Sequence, residues 1–331
     1  MTLASGIGSH PGDDQRDYDE AVRLVLGEVP DLAYLPEVPG RGVTATMTGR
    51  ALAVMAELGA DLQPAGWRLT DAPGIDHRRA RSLLAQDLDT LEEQAQGYTG
   101  VFKVQVAGPW TLAATVERPR GDKVLGDFGA RRELAQALAE GLTTHVADVR
   151  RRVPGASRLV VQVDEPALVA VLTASVPTAS GFHRHRSVDL PEASQVLEWV
   201  LSAIADAGAE PWVHSCAPET PLDLLRGAGA VGLSLDHAQM SARDHDEAGA
   251  ALEAGQSVAL GVIAATDPVT APTDGEVTEA VLRWSDMLGL DVAELGDRLV
   301  LTPSCGLAGA SPAWAKQSLG LLREAAGHLS E

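Results

Sequence analysis

The chain has 331 residues, 45% of them apolar and 22% charged, with 26 Lys+Arg against 46 Asp+Glu for a formal net charge of −20. That apolar fraction excludes a disordered chain. The acidity argues against nucleic-acid and anionic-membrane partners, both of which draw on Lys and Arg. Two cysteines are too few for a disulfide scaffold. The first residues, Met1–Asp14, lack a basic region followed by an apolar one, and no run of about 18 apolar residues occurs. The expectation is a cytoplasmic protein with two reduced thiols to explain.

Short β-branched apolar runs alternate with amphipathic stretches along the whole chain. The first two runs are Ala4–Ser9 and Leu32–Pro36. The stretch from Glu37 to Gly100 is too long for one helix and is expected to hold two. Val101–Ala107 follows as a third strand, then a helix over Ala130–Arg152 whose Leu134, Leu138, Leu142 and Val146 form one apolar stripe. Leu159–Asp164 is a fourth strand, and Leu172–Leu190, containing Phe182-His-Arg-His-Arg186, reads as a long loop over the site. The helix Pro191–Ala207, strand Pro211–Cys216 and helix Thr220–Gly227 come next. After them lie strand Val231–Asp236, helix Asp244–Gly255 and strand Val258–Ile263. Helix Thr273–Leu288, strand Leu299–Ser304 and helix Ser311–Ser330 complete the series.

Strands such as Leu159–Asp164 are near-continuously apolar, as strands covered on both faces are. Eight such units predict an α/β chain folded as a (β/α)₈ TIM barrel, one domain over 1–331, with an insertion between strands two and three and a long loop after strand four. A doubly wound open sheet is the alternative.

The chemistry is expected where the strands end. Nearly every one closes on a polar or unusual cluster: Ile7-Gly-Ser-His-Pro11, Leu35-Pro-Glu37, Gln162-Val-Asp-Glu-Pro166, His214-Ser-Cys216, Ser234-Leu-Asp-His237 and Thr302-Pro-Ser-Cys-Gly306. In a barrel these ends meet at one face. His214 and Cys216 are two apart on a strand and point the same way. Cys305, the second of the two cysteines, ends another strand at the same face. Imidazole and thiolate are good zinc ligands, and Asp236 or His237 could add a fourth. Two sulfurs, one nitrogen and one open or oxygen-filled place describe a catalytic zinc site, able to ionise a substrate thiol.

Other candidates carry bland readings beside the functional ones. Asp164 suits an ammonium group, while Glu165 is either an anion at a helix N-terminus or a structural contact. Glu37 and Arg41 could serve a charged substrate or pair in a solvated loop. His183 and His185 are expected in solvent, and Trp67, Trp110 and Trp212 in the core or a pocket wall. No phosphate-binding loop, dinucleotide fingerprint or nucleophile elbow occurs, which leaves nucleotide binding and serine hydrolysis without a basis.

In order, Ile7-Gly-Ser9, Gly108-Pro109-x-Thr111, Gln162-Val-Asp-Glu-Pro-Ala-Leu168, His214-Ser-Cys216, Leu233-Ser-Leu-Asp236, Leu260-Gly-Val262 and Pro303-Ser-Cys-Gly-Leu307 span nearly the whole chain. In these segments the chain resembles the C-terminal catalytic barrel of cobalamin-independent methionine synthase, within the superfamily that includes uroporphyrinogen decarboxylase. The resemblance implies a zinc ion held by His214, Cys216 and Cys305, with Asp236 at the position where the family has Glu and His237 as its rival. It also implies that Ser9 and Asp164 hold the amino-acid end of homocysteine, with Glu37 facing the site.

Two departures follow. The N-terminal barrel that helps full-length members bind polyglutamylated methyl-folate has no counterpart here. The aromatic segment after Gly-Pro-x-Thr, similar to a folate platform in the family, is replaced by Leu112-Ala-Ala-Thr-Val116. Single-barrel relatives are thought to use corrinoid donors. The implied activity is therefore a zinc-dependent S-methyltransferase forming methionine from homocysteine, with methyl-folate or a methyl-corrinoid, free or carried on a protein, as donor. A metal-free decarboxylase-like lyase and a non-catalytic thiol- or corrinoid-binding barrel are the alternatives.

Overall fold

Eight parallel strands form one sheet that curls towards closure in a computed structural model describing residues 1–330. In chain order the strands of the protein are β1 (Leu3–Ala4), β2 (Leu32–Tyr34), β3 (Gly59–Gln63), β4 (Gly66–Thr70), β5 (Val101–Ala107), β6 (Arg158–Asp164), β7 (Glu210–Ser215), β8 (Gly232–Asp236), β9 (Ser257–Ile263) and β10 (Leu299–Pro303). The sheet runs β1-β10-β9-β8-β7-β6-β5-β2, with helices between successive strands, and is the (β/α)₈ barrel the alternation predicts. An open doubly wound sheet is thereby excluded.

The helices follow the amphipathic stretches to within a few residues. Phe128–Arg152 buries Leu134, Leu138, Leu142 and Val146 against the barrel, as their spacing of four requires. Side-chain caps mark several starts, among them Asp127 on Ala130 N–H and Ser311 on Trp314 N–H. Among the described residues no helix is long and apolar enough to cross a membrane.

Two departures from the expected elements shape the site. The first strand pairs only over Leu3–Ala4, not to Ser9. The Ile7 carbonyl is taken instead by two side chains inside the barrel, Lys103 Nζ and Gln162 Nε2, each at 2.9 Å. The β1–β2 seam then closes through Ser5 Oγ on Leu32 O, at 2.9 Å, and through an isolated parallel bridge between Ser9 and Glu37. The second departure is the insertion. It holds the two expected helices, Met47–Val54 and Ile75–Gln94, and also an antiparallel hairpin, β3–β4, in which Gln63 pairs with Gly66. Trp67 and Leu69 alternate into the core while Arg68 turns away to Glu117.

The barrel interior is layered. At its N-terminal end Leu3, Leu32, Val101, Val160, Trp212, Ala259 and Val300 form a separate apolar plug. Gly232 makes room for it, since a Cβ there would lie 2.5 Å from the Trp212 indole. Two residues further along the same strands the inward positions become Lys103, Gln162, His214 and Ser234, and beyond them Gln105, Asp164, Cys216 and Asp236. The period of two thus carries the interior from oil to polar groups towards the C-terminal face.

Candidate functional site

The three residues nearest to a metal-ligand geometry come from two strand ends. His214 lies on β7, Cys216 just beyond it, and Cys305 just beyond β10. Their donor atoms all lie within 4.8 Å of one another. Cys216 Sγ is 3.1 Å from Cys305 Sγ, far beyond the ~2.05 Å of a disulfide, so both are free thiols. Cys305 Sγ is 3.8 Å from His214 Nε2.

The imidazole is oriented from behind. His214 Nδ1 is 3.1 Å from the Ser234 carbonyl oxygen, which can only accept, so Nδ1 carries the proton and Nε2 keeps its lone pair facing the thiols. The thiols polarise each other. The Cys305 S–H, by donating to it, lowers the Cys216 thiol to about 7. That same shared bond, with burial behind it, holds Cys305 well above its ordinary range. Two sulfurs and one correctly tautomerised nitrogen are a donor set that fits zinc.

Asp236 does not join the three. Its carboxylate turns back to accept the Ala238 N–H at 3.0 Å, capping the short 3₁₀ turn His237–Gln239. The His237 ring packs instead against His245, with centroids 5.4 Å apart. Neither Asp236 nor His237 is grouped with the triplet.

A pocket of about 250 Å³ opens directly over the triplet. Ser9, Glu37 and Asp164 all line it, together with His214, Cys216 and Cys305. Asp164 is buried, and burial raises its carboxyl to about 6. One of its oxygens accepts Gln162 Nε2 at 2.7 Å. Glu37 is buried and bound by Arg50 Nε at 3.2 Å and Gln105 Nε2 at 3.1 Å. Gly306 packs so closely on Ser9 that a Cβ there would sit 2.1 Å from Ser9 Oγ.

Glu165 faces the opposite way from Asp164, as adjacent strand residues do. It is fully buried and accepts Trp110 N–H, Thr111 N–H and Thr111 Oγ at 2.9, 2.8 and 2.7 Å, anchoring the start of the helix Pro109–Thr115. Burial raises it to about 7. Its role is the helix-end anion of the two readings.

Two expectations need correction. Glu37 and Arg41 do not pair in a solvated loop: Arg41 grips Asp87 with two bonds of 2.7 and 2.8 Å, its side chain 5% exposed, while Glu37 goes to Arg50. His183 is exposed as expected, but His185 is buried, its Nε2 3.1 Å from Asp122 Oδ1. Trp67, Trp110 and Trp212 are all core.

Sequence reasoning missed the polar groups beneath and beside the pocket: Lys103, Gln105 and Gln162 inside the barrel, and Arg50 and Asp87 in the insertion. The available signal was polar residues at alternate positions within otherwise apolar strands, Lys103 and Gln105 in β5 and Gln162 and Asp164 in β6.

The chain is thus a (β/α)₈ barrel with a histidine and two cysteines gathered at its C-terminal face beneath a pocket lined by two carboxylates. The chain belongs to the family described as cobalamin-independent synthase, catalytic domain, whose model matches residues 102–328. That span contains His214, Cys216, Cys305, Asp164 and Asp236, and leaves Ser9 and Glu37 outside it.

The fold is similar to that of a B12-independent methionine synthase from Shewanella sp. W3-18-1, solved in complex with selenomethionine. The identity is 15%, the TM-score 0.65, and the alignment covers 99% of this chain and 98% of the other. SrfJ from Salmonella typhimurium aligns at 10% identity and TM-score 0.47, over 98% of this chain and 74% of its own. No curated protein matches the chain in sequence.

Proposed function

We propose that the chain is a zinc-dependent S-methyltransferase that methylates the thiol of homocysteine to give methionine, and that it acts as one domain in the reducing cytoplasm. The observation that carries this reading is the convergence of His214, Cys216 and Cys305 beneath a pocket lined by Ser9, Glu37 and Asp164. The family membership supports it, and so does the methionine analogue bound by the Shewanella protein.

His214, Cys216 and Cys305 would hold the metal, with Asp236 or His237 as the candidate fourth protein ligand. Zinc there supplies a Lewis acid that keeps an incoming thiol ionised at neutral pH. Asp164, with one oxygen committed to Gln162, offers the other to the substrate ammonium. Ser9 Oγ faces the same space and suits the substrate carboxylate. Glu37, fastened by Arg50 and Gln105, gives the ammonium a second anionic neighbour. Holding both ends of the amino acid fixes the direction in which its sulfur points, so attack on a methyl group above it becomes effectively intramolecular.

The donor is a methyl-corrinoid or methyl-folate. Leu112, Ala113 and Ala114, which stand where the family has its aromatic platform, are buried in a helix, and this favours the corrinoid. The lyase alternative needs arginines for a polycarboxylate, and among the described residues none lines the pocket. The test is methionine formation from homocysteine with methyl-folate and methylcobalamin in parallel. Product with one donor supports the reading. Product with neither, despite a filled metal site, leaves the non-catalytic binding barrel.

A further inference from the structure

Lys103 is 1% exposed, lies inside the barrel below the pocket, and touches no carboxylate. Its Nζ donates to the Ile7 carbonyl at 2.9 Å and to Gln162 Oε1 at 2.8 Å, and lies 5.2 Å from the centroid of the Tyr34 ring. Burying an ammonium against neutral acceptors is costly. Through Ile7 the lysine helps close the β1–β2 seam, and its second bond, to Gln162, leads up towards the pocket.

Because Lys103 donates to Gln162 Oε1, the amide of Gln162 cannot flip, and its Nε2 must face the other way. That Nε2 donates to Asp164 Oδ1 at 2.7 Å and to the Ile7 carbonyl at 2.9 Å. Lys103 and Gln162 thus hold the same carbonyl from two sides, two residues before Ser9. One chain of bonds runs Lys103–Gln162–Asp164 and a second runs from both side chains through Ile7 to Ser9. They end at the two groups that line the pocket on its amino-acid-binding side.

We propose that Lys103, acting through Gln162, is the positioning residue that presents Asp164 to the α-ammonium of the substrate. The inference rests on the homocysteine reading above. It differs from a structural role in what it forbids. Loss of Lys103 disturbs recognition of the substrate's α-amino group and leaves capture of the thiol unaltered, because neither Lys103 nor Gln162 bonds to His214, Cys216 or Cys305.

The experiment is calorimetric binding of homocysteine and of 4-sulfanylbutanoate, the same thiol acid without the amino group, to zinc-loaded protein. The unaltered chain is expected to prefer homocysteine. In Lys103→Met that preference falls about tenfold, because a charge-assisted contact to the ammonium is misplaced, while binding of 4-sulfanylbutanoate holds. Gln162→Met breaks the same chain at its middle and carries the same expectation, which keeps the test alive if Lys103→Met does not fold. A preference kept intact in either folded variant overturns the inference alone. Failure of the unaltered chain to bind homocysteine overturns the homocysteine reading, and this inference with it.

Discussion

At the scale of single residues, the site is built from side chains whose partners decide what they can do. His145 shows the same rule away from the pocket. It is buried on the helix Phe128–Arg152, and burial, aided by the Arg50 charge, lowers its pKa from 6.5 to about 4. Between those values the unfolded chain holds a proton that the folded chain refuses, so this group's contribution to stability falls as pH drops from about 6.5 to about 4. Asp164 and Glu165, raised to about 6 and about 7, act in the opposite sense over an overlapping range. Only a single-site comparison isolates the histidine. Relative to His145→Phe, the unaltered chain should lose on the order of 2–3 kcal/mol of urea-unfolding free energy between neutral pH and about pH 4.5. Parallel pH profiles for the two proteins would rule this out.

Gly306 gives a second residue-scale prediction. A methyl group there would stand 2.1 Å from Ser9 Oγ, so Gly306→Ala must push the serine aside. KM for homocysteine should rise about tenfold in steady-state assays, the loss of roughly one hydrogen bond to a charged group, with zinc content unchanged. An unaltered KM would show that Ser9 does not touch the substrate.

At the scale of elements, the insertion between β2 and β5 is fastened to the site by buried charge. Asp87, on the helix Ile75–Gln94, takes both bonds of Arg41 and one from Arg50, and Arg50 reaches on to Glu37. With two carboxylates and two guanidiniums the group is neutral, but removing one member leaves buried cations uncompensated. Asp87→Ala should therefore cost about 3–5 kcal/mol in urea denaturation, and a loss under about 1 kcal/mol would mean that the network is not coupled to folding.

The eight strands and the His214, Cys216 and Cys305 cluster were legible in the sequence because each strand is an apolar run with an abrupt polar end. The β1–β2 seam was not, because it depends on Lys103 and Gln162 reaching across the barrel to Ile7, a contact between strands far apart in the chain. The hairpin Gly59–Thr70 was hidden by the shortness of its strands. The direction of the Asp236 carboxylate was hidden too, since it is decided by one local backbone N–H.

At the scale of the whole molecule, the barrel takes groups from opposite ends of a 331-residue chain and sets them around one opening. Ser9 and Cys305 are neighbours there because β1 pairs with β10 and Leu307 N–H donates to Ser9 O at 2.8 Å. The interior changes from the apolar plug to a polar floor that holds Lys103 and then to thiols and carboxylates where the barrel opens. Zinc bound at this end would tie the end of β7 to the end of β10 and raise the thermal midpoint by mass action.

Zinc stoichiometry, measured by mass spectrometry on protein purified without chelator, tests this most directly. About one equivalent per chain is expected for the unaltered protein, falling steeply in Cys305→Ser while the fold is retained by circular dichroism. Less than about half an equivalent in the unaltered chain, or full zinc retention by Cys305→Ser, would contradict a metal centre built from His214, Cys216 and Cys305.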